Sequence, residues 1–166
     1  MKFDFVTNVN EIDLKVKTDL LICNFQNEKI NLSQDYLQSK MIDYLCEVSQ
    51  VKSCLLFAYF TIDYVAHTNG GVAIISDGNL IDITEQGDIK NKVNISPYNT
   101  RIGNVQILID DDIFDKSLLF ALEKSNINIM LVFCRADLSN DIKTITTNLP
   151  YIAICDNKIF TSNNTL

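Results

Sequence analysis

Few residues in this chain are equipped for chemistry, and they are scattered. Cysteines stand at 23, 46, 54, 134 and 155, and His67 is the single histidine. The cysteines are far apart, mostly inside apolar runs, and no C-x-x-C occurs. This pattern reads as reduced, buried thiols in a cytoplasmic protein, not as a disulfide framework or a zinc site. Cys134 lies in FCRAD, at the end of an apolar run and just before Arg135 and Asp137. A neighbouring guanidinium can activate a thiolate. The plainer alternative is a structural cysteine at a strand end, with no histidine near it in sequence to act as its base. His67 reads as a surface or hydrogen-bonded loop residue. Asp110, Asp111 and Asp112 are consecutive and have three readings. They could hold a divalent cation, one of them could accept hydrogen bonds that fix a turn, or they form a solvated cap. Asn69-Gly70-Gly71 lacks the G-x-G-x-x-G spacing and a following helix, so it reads as an ordinary turn. Nothing in the chain calls for a cofactor.

Composition bounds the class. The 166 residues suggest a single domain, 1–166, and at 47% apolar the chain can bury a substantial core. The net charge of −7, without a Lys/Arg cluster or aromatic stripe, argues against nucleic acid as a partner. No apolar run reaches the roughly 20 residues of a membrane helix. The amino end, MKFDFVTNVNEIDLK, is too acidic and too briefly apolar for a signal peptide.

The element that must position the acidic run is RIGNVQILIDDDIFDKSLLFALEKSNINIMLVF, from Arg101 to Phe133. Val105, Ile107 and Ile109 alternate as a strand. Phe114, Leu118, Ala121 and Leu122 share one helical face, with Asp111 or Asp112 as the expected N-cap and Asn126 as a left-handed stop. Ile127 to Phe133 then reads as a strand covered on both faces. A crossover of this length makes the two strands parallel neighbours, and chemistry in such sheets sits beyond the strand's carboxyl end.

Around this unit the expected strands are Phe3 to Thr7, Asp19 to Cys23, Cys54 to Phe60 and Tyr151 to Cys155, with a short one to Thr161. A helix capped by Ser33 or Asp35 is expected through about Ser49, with Leu37, Met41, Tyr44, Leu45 and Val48 on its core stripe. Val72 to Ser76 and Leu80 to Thr84 form a hairpin across Asp77-Gly78, since Asp-Gly supplies the positive φ angles of a type I′ turn. Asn8 to Lys17 is linker or short helix, Asn24 to Ser33 and Glu85 to Thr100 are loops, and Leu138 to Asn148 is a helix. The result is an α/β protein with a mixed sheet or two packed sheets.

In order and spacing these parts resemble the nitrilase, or carbon–nitrogen hydrolase, superfamily over about Asp19 to Cys155. NGGVAIISDG, Asn69 to Gly78, is similar to the family's Asn-Ser-Ala strand and "dGe" hairpin. ILIDDDIF, Ile107 to Phe114, is similar to its nucleophile pattern "ICyDlrF", with Asp111 and Phe114 matching the Asp and Phe. DLLICNF, Asp19 to Phe25, is similar to "aDlvvfPE". The Pro97-Tyr98 loop bears a slight likeness to the glutaminase domain of glutamine-dependent NAD synthetases. Gly103 lies two residues before the family's glycine position, where Val105 stands.

The resemblance implies an α-β-β-α sandwich with helices outside, truncated here by loss of the helix between the first two strands and of the final strands. It also implies a homodimer paired through the helical layer after the nucleophile strand. Leu119 and Phe120, off the core stripe, are expected to lie exposed and add support. The family's reaction uses a cysteine nucleophile, a glutamate base and a lysine that steadies the oxyanion. Their positions here hold Ile109, Phe25 and about Gln86, with Lys90 and Lys92 near the last. The leading expectation is therefore a catalytically inactive domain acting through binding or assembly. The first alternative is an active amidase- or glutaminase-type hydrolase with a nucleophile such as Cys134. The second is a binder of a small amide or amino-acid-like ligand in a remnant pocket at Asn69, Asp111 and Phe114.

Overall fold

Continuous apolar runs become central strands, and the turn residues between them set the connections. The structure is a computed structural model describing residues 2–26, 31–33, 39–91 and 96–162. The contacts group into two compact units, Met1–Glu85 and Gln86–Leu166, each with its own sheet.

In the first unit the strands are β1 (Phe3–Val6), β2 (Leu20–Asn24), β3 (Asn31–Ser33), β4 (Leu55–Asp63), β5 (Thr68–Ser76) and β6 (Asn79–Glu85). They are ordered β1-β2-β4-β5-β6, with β3 on the far end of β4. The pairs β1–β2, β2–β4 and β3–β4 are parallel, and β4–β5–β6 is antiparallel. One helix, α1 (Lys40–Lys52), covers one face. Its Ile42, Leu45 and Val48 pack into a cluster with Leu21, Cys23, Phe25, Leu56, Ala58 and Phe60. Every residue of β2 is buried, which is why its sequence does not alternate.

The Asp77-Gly78 hairpin is present, with φ of 50° and 84° at the two turn residues. Gly78 N–H donates to Ser49 Oγ (3.3 Å), which ties the turn to α1. Three expectations need correction here. The cap of α1 is Ser39, whose Oγ accepts Met41 N–H at 3.2 Å. Of the earlier caps, Ser33 belongs to β3, while Asp35 and Leu37 lie outside the described residues. The span from Asn24 to Ser33 is not all loop, because residues 31–33 add a strand to β4. Asn69-Gly70-Gly71 is not a turn but the start of β5. Gly71 is needed there for close approach, because a Cβ would stand 2.4 Å from Ile62 Cδ1.

The second unit contains the short α2 (Asp88–Asn91), then β7 (Tyr98–Thr100), β8 (Gly103–Ile109), α3 (Lys116–Glu123), β9 (Ile129–Cys134), β10 (Tyr151–Cys155) and β11 (Lys158–Thr161). Its sheet runs β11-β10-β9-β8-β7, with β8, β9 and β10 parallel and an antiparallel strand at each edge. Leu108, Met130, Val132, Cys134, Ala153 and Cys155 face α3 and the turns that follow β9. The expected Glu85 to Thr100 loop thus carries a helical turn and an edge strand.

The helix cap and stop differ from expectation. Asp110 to Phe114 forms a 3₁₀ turn, and α3 starts after Asp115. Asp115 Oδ1 accepts Ser117 N–H (3.0 Å) and Leu118 N–H (3.1 Å), so it is the cap in place of Asp111 or Asp112. The helix ends at Lys124 in right-handed backbone, and Asn126 is not among the residues with positive φ. The expected helix Leu138 to Asn148 is two 3₁₀ turns, Ala136–Ser139 and Asp141–Thr144. Its Ser, Thr, Asn and Asp residues satisfy backbone groups locally and compete with helix. Thr144 Oγ1 donates to Asp141 O (2.6 Å), and Glu123 Oε1 accepts Asn148 N–H (2.8 Å). Leu119 is also not exposed as expected. It is 7% accessible, packed under the same turns, while Phe120 is 60% accessible with Lys124 Nζ 3.8 Å over its ring. Among the described residues no helix is long and apolar enough to cross a membrane.

Candidate functional site

Three parallel strands of the second unit end side by side. Register pairs Ile109 with Phe133 and Cys134 with Cys155, so β8 ends at Ile109-Asp110, β9 at Cys134-Arg135 and β10 at Cys155-Asp156. Ile109 is buried at this end. The next residue, Asp110, adopts left-handed backbone (φ 51°) and is only 2% exposed. Its Oδ1 accepts the backbone N–H of Arg135 at 2.9 Å and lies 3.6 Å from Arg135 Nε. The half-exposed guanidinium also lies 3.9 Å from Asp111 and 3.8 Å from Asp137.

The three consecutive aspartates are thus unequal. Asp111 is the outward one, its side chain 58% exposed. Asp112 is buried, and its Oδ2 accepts N–H groups from Ile109 and from Gly87, both at 3.4 Å. Here a carboxylate fixes the turn, and it also brings the Gln86-Gly87 segment against the end of β8. The backbone of Ile109 and that of Gly87, the residue after Gln86, therefore meet around one carboxylate. Among the described residues no three His, Cys, Asp or Glu side chains are grouped to hold a metal.

Cys134 stands at the neighbouring strand end but on the other face. Ile109 pairs with Phe133, and side chains alternate along β9. Cys134 consequently points into the cluster beneath α3, beside Cys155. A hydrogen bond with Cys155 pushes the Cys134 thiol up; burial and the charges of Asp110 and Asp111 add to this. It is a neutral thiol at physiological pH.

The remaining candidates lie in their own surroundings. Phe25 is fully buried in the cluster facing α1, its ring 5.4 Å from that of Phe60. Phe114 is half-buried against the α3 cluster. Asn69 lies on β5, where Asn69 Nδ2 donates to Glu85 Oε2 (3.2 Å) and Tyr64 OH donates to Glu85 Oε1. The exposed His67 stacks on Tyr64 with ring centroids 5.0 Å apart. Sequence reasoning passed over Glu85 and Tyr64. The signal available was a lone carboxylate at the end of an apolar-alternating hairpin strand, immediately before Gln86.

No protein-family profile matches the chain, and no curated protein sequence matches it either. Solved structures do match. A carbon–nitrogen hydrolase from Helicobacter pylori superposes with a TM-score of 0.63 at 12% identity, over 83% of this chain and 61% of that one. The C. elegans NitFhit protein gives 0.61 at 14% identity, over 92% of this chain and 50% of that one. A mutant amidase from Nesterenkonia sp. AN1 gives 0.59 at 10% identity, over 83% of this chain and 63% of that one. That amidase carries the acetamide moiety of fluoroacetamide on its active-site cysteine. The α/β fold, with its two mixed sheets, is similar to that of these nitrilase-superfamily structures, as the sequence resemblance implies. The chain spans between half and two thirds of the length of these structures.

Proposed function

We propose that this protein is a nitrilase-fold domain that does not hydrolyse amides or nitriles and acts through binding or assembly. The observation that carries this reading is the end of β8. Where a nucleophile is expected, the chain has Ile109 and then Asp110, whose carboxylate is engaged by Arg135. Isoleucine offers no lone pair to attack a carbonyl. The carboxylate of Asp110 spends its acceptor capacity on holding β9. Phe25 cannot take a proton, and Gln86 brings no positive charge to an oxyanion. Loss of one oxyanion donor alone costs about 10²–10³ in rate.

Assembly is the form of action the surface favours. The exposed Phe120 lines a groove of about 690 Å³ together with Ile113, Phe114, Leu119, Lys116 and Glu123. Two copies of α3 packed antiparallel would place Lys116 of each against Glu123 of the other. A homodimer through this face is the assembly we propose, in a cytoplasmic, reducing setting. Light scattering tests it. A species of twice 18.8 kDa that reverts to monomer in Phe120→Glu is expected, whereas a monomer at high concentration would remove the dimer.

The rival reading, hydrolysis through Cys134, draws on that thiol's place at the adjacent strand end. An assay on glutamine, simple amides and nitriles separates the two. No turnover is expected from the wild type or from Ile109→Cys, because neither base nor cation returns with the thiol. Turnover that disappears in Cys134→Ala would establish the rival. Small-ligand binding at Asn69, Asp111 and Phe114 is tested by thermal shift, since a ligand at a hundredfold over Kd adds about 2.7 kcal/mol.

A further inference from the structure

Two of the buried thiols are built as a pair. Cys134 and Cys155 are the last residues of β9 and β10 and are register partners in a parallel ladder, so their side chains lie on the same face. Neighbouring strands lie about 4.8 Å apart, inside the roughly 4.4–6.8 Å between Cα atoms that a disulfide spans. The two thiols are hydrogen-bonded to each other. Among the described residues no other cysteine has a cysteine for a register partner, since Cys23 pairs with Val6 and Ala58. Each member of the pair is followed directly by a less buried residue, Arg135 or Asp156.

We propose that Cys134 and Cys155 form a reversible dithiol–disulfide site, oxidised by a hydroperoxide and reduced by a dithiol. In the first step one thiolate attacks a peroxide oxygen. The O–O bond breaks, an S–O bond forms, and the departing oxygen leaves as water or an alcohol. In the second step the other thiol attacks that sulfur, the S–S bond forms and water leaves. Two thiols lose two protons and two electrons, and one hydroperoxide gains them.

The hydrogen bond between the thiols stabilises a thiolate on one sulfur and holds the proton on the other. The sulfur that carries the thiolate attacks, and its partner resolves. Access comes from the segment above the pair. It consists of two 3₁₀ turns, Ala136–Ser139 and Asp141–Thr144, whose Ile142 lies in the same cluster as both cysteines. Short turns of this kind open locally at lower cost than a helix of the same length.

The test is titration of the full chain with hydrogen peroxide, followed by intact mass and peptide mapping. The expected product has lost two hydrogens, joins the Cys134 and Cys155 peptides, leaves Cys23, Cys46 and Cys54 free, and returns to the starting mass with dithiothreitol. Its melting temperature should rise by about 5 °C or more, because the crosslink closes a loop of the unfolded chain. Phenylarsine oxide, which bridges two close thiols, should bind the reduced wild type one to one and the oxidised protein not at all. This readout needs no variant. In Cys134→Ser and in Cys155→Ser, the remaining thiol should stop at sulfenic acid or proceed to sulfinic acid, with no crosslink. A crosslink between other cysteines, single-site oxidation without a crosslink in the wild type, or failure to bind phenylarsine oxide would each overturn the proposal.

Discussion

Two aspartates in this protein share a left-handed backbone for opposite reasons. Asp77, φ 50°, is the first residue of a two-residue hairpin turn, and its partner there is Gly78 at 84°. Asp110, φ 51°, ends a central strand. The first conformation is a local rule, because type I′ turns demand positive φ and Asp-Gly tolerates it. The second is imposed from elsewhere. Asp110 is turned so that its buried carboxylate accepts the N–H of Arg135, which opens the connection after the next strand. Local turn chemistry can be read from two letters. A conformation held by a partner 25 residues away cannot.

This contrast is best broken at Asp110. Asp110→Ala should cost about 3 kcal/mol, because it strands a backbone donor and leaves a residue with a Cβ in left-handed backbone. Asp110→Gly should recover about 1 kcal/mol of that, since only the backbone term is relieved. Urea unfolding of the pair measures both, and equal losses would mean that the backbone at Asp110 is not strained.

The hairpin should respond next. Gly78→Val should cost about 2 kcal/mol, part from φ and part from Gln50 Cβ, which a new Cβ would meet at 3.0 Å. An unchanged urea midpoint would contradict the turn's dependence on glycine. A smaller effect is expected from Arg135→Ala. Its guanidinium is 47% exposed and its backbone N–H survives the change, so the loss should stay below about 1 kcal/mol. A loss as large as that of Asp110→Ala would shift the anchoring of Asp110 from the main chain to the ion pair. The smallest effect is expected from Asp77→Gly, a change within about 0.5 kcal/mol in a thermal melt, because glycine's ease at positive φ offsets the loss of the local hydrogen bond that Asp77 Oδ2 accepts from Ser76 Oγ (3.0 Å).

The same division explains what was legible in the sequence. Runs such as LLIC, IMLVFC and YIAIC could be placed because strands buried on both faces carry few polar residues to blur them. The nitrilase-like order of parts was legible for the same reason, from motif spacing along those strands. Asn31–Ser33 and Tyr98–Thr100 escaped because a three-residue strand is defined by its partner and not by its own pattern. Asn69-Gly70-Gly71 looked like a turn, yet those residues enter a strand where Ile62 leaves no room for a side chain at Gly71. Asp115 outcompeted Asp111 and Asp112 as cap because Asp112 is buried in hydrogen bonds to Ile109 and Gly87. At the candidate site, Phe25, about Gln86 and Ile109 are proposed as counterparts from motif register alone. The facing of Cys134 away from Ile109 was not legible in the sequence, since it required the pairing of β8 with β9.

The central claim is that no reactive thiol serves the end of β8. Incubation of the reduced full chain with fluoroacetamide, followed by intact mass and a protease digest, tests it without any assumption about substrate. No acetamide adduct is expected at Cys134, whose thiol is pushed up by its hydrogen bond with Cys155 and by burial and faces the opposite side of the sheet. A stoichiometric adduct on Cys134, of the kind the Nesterenkonia amidase carries on its active-site cysteine, would contradict it.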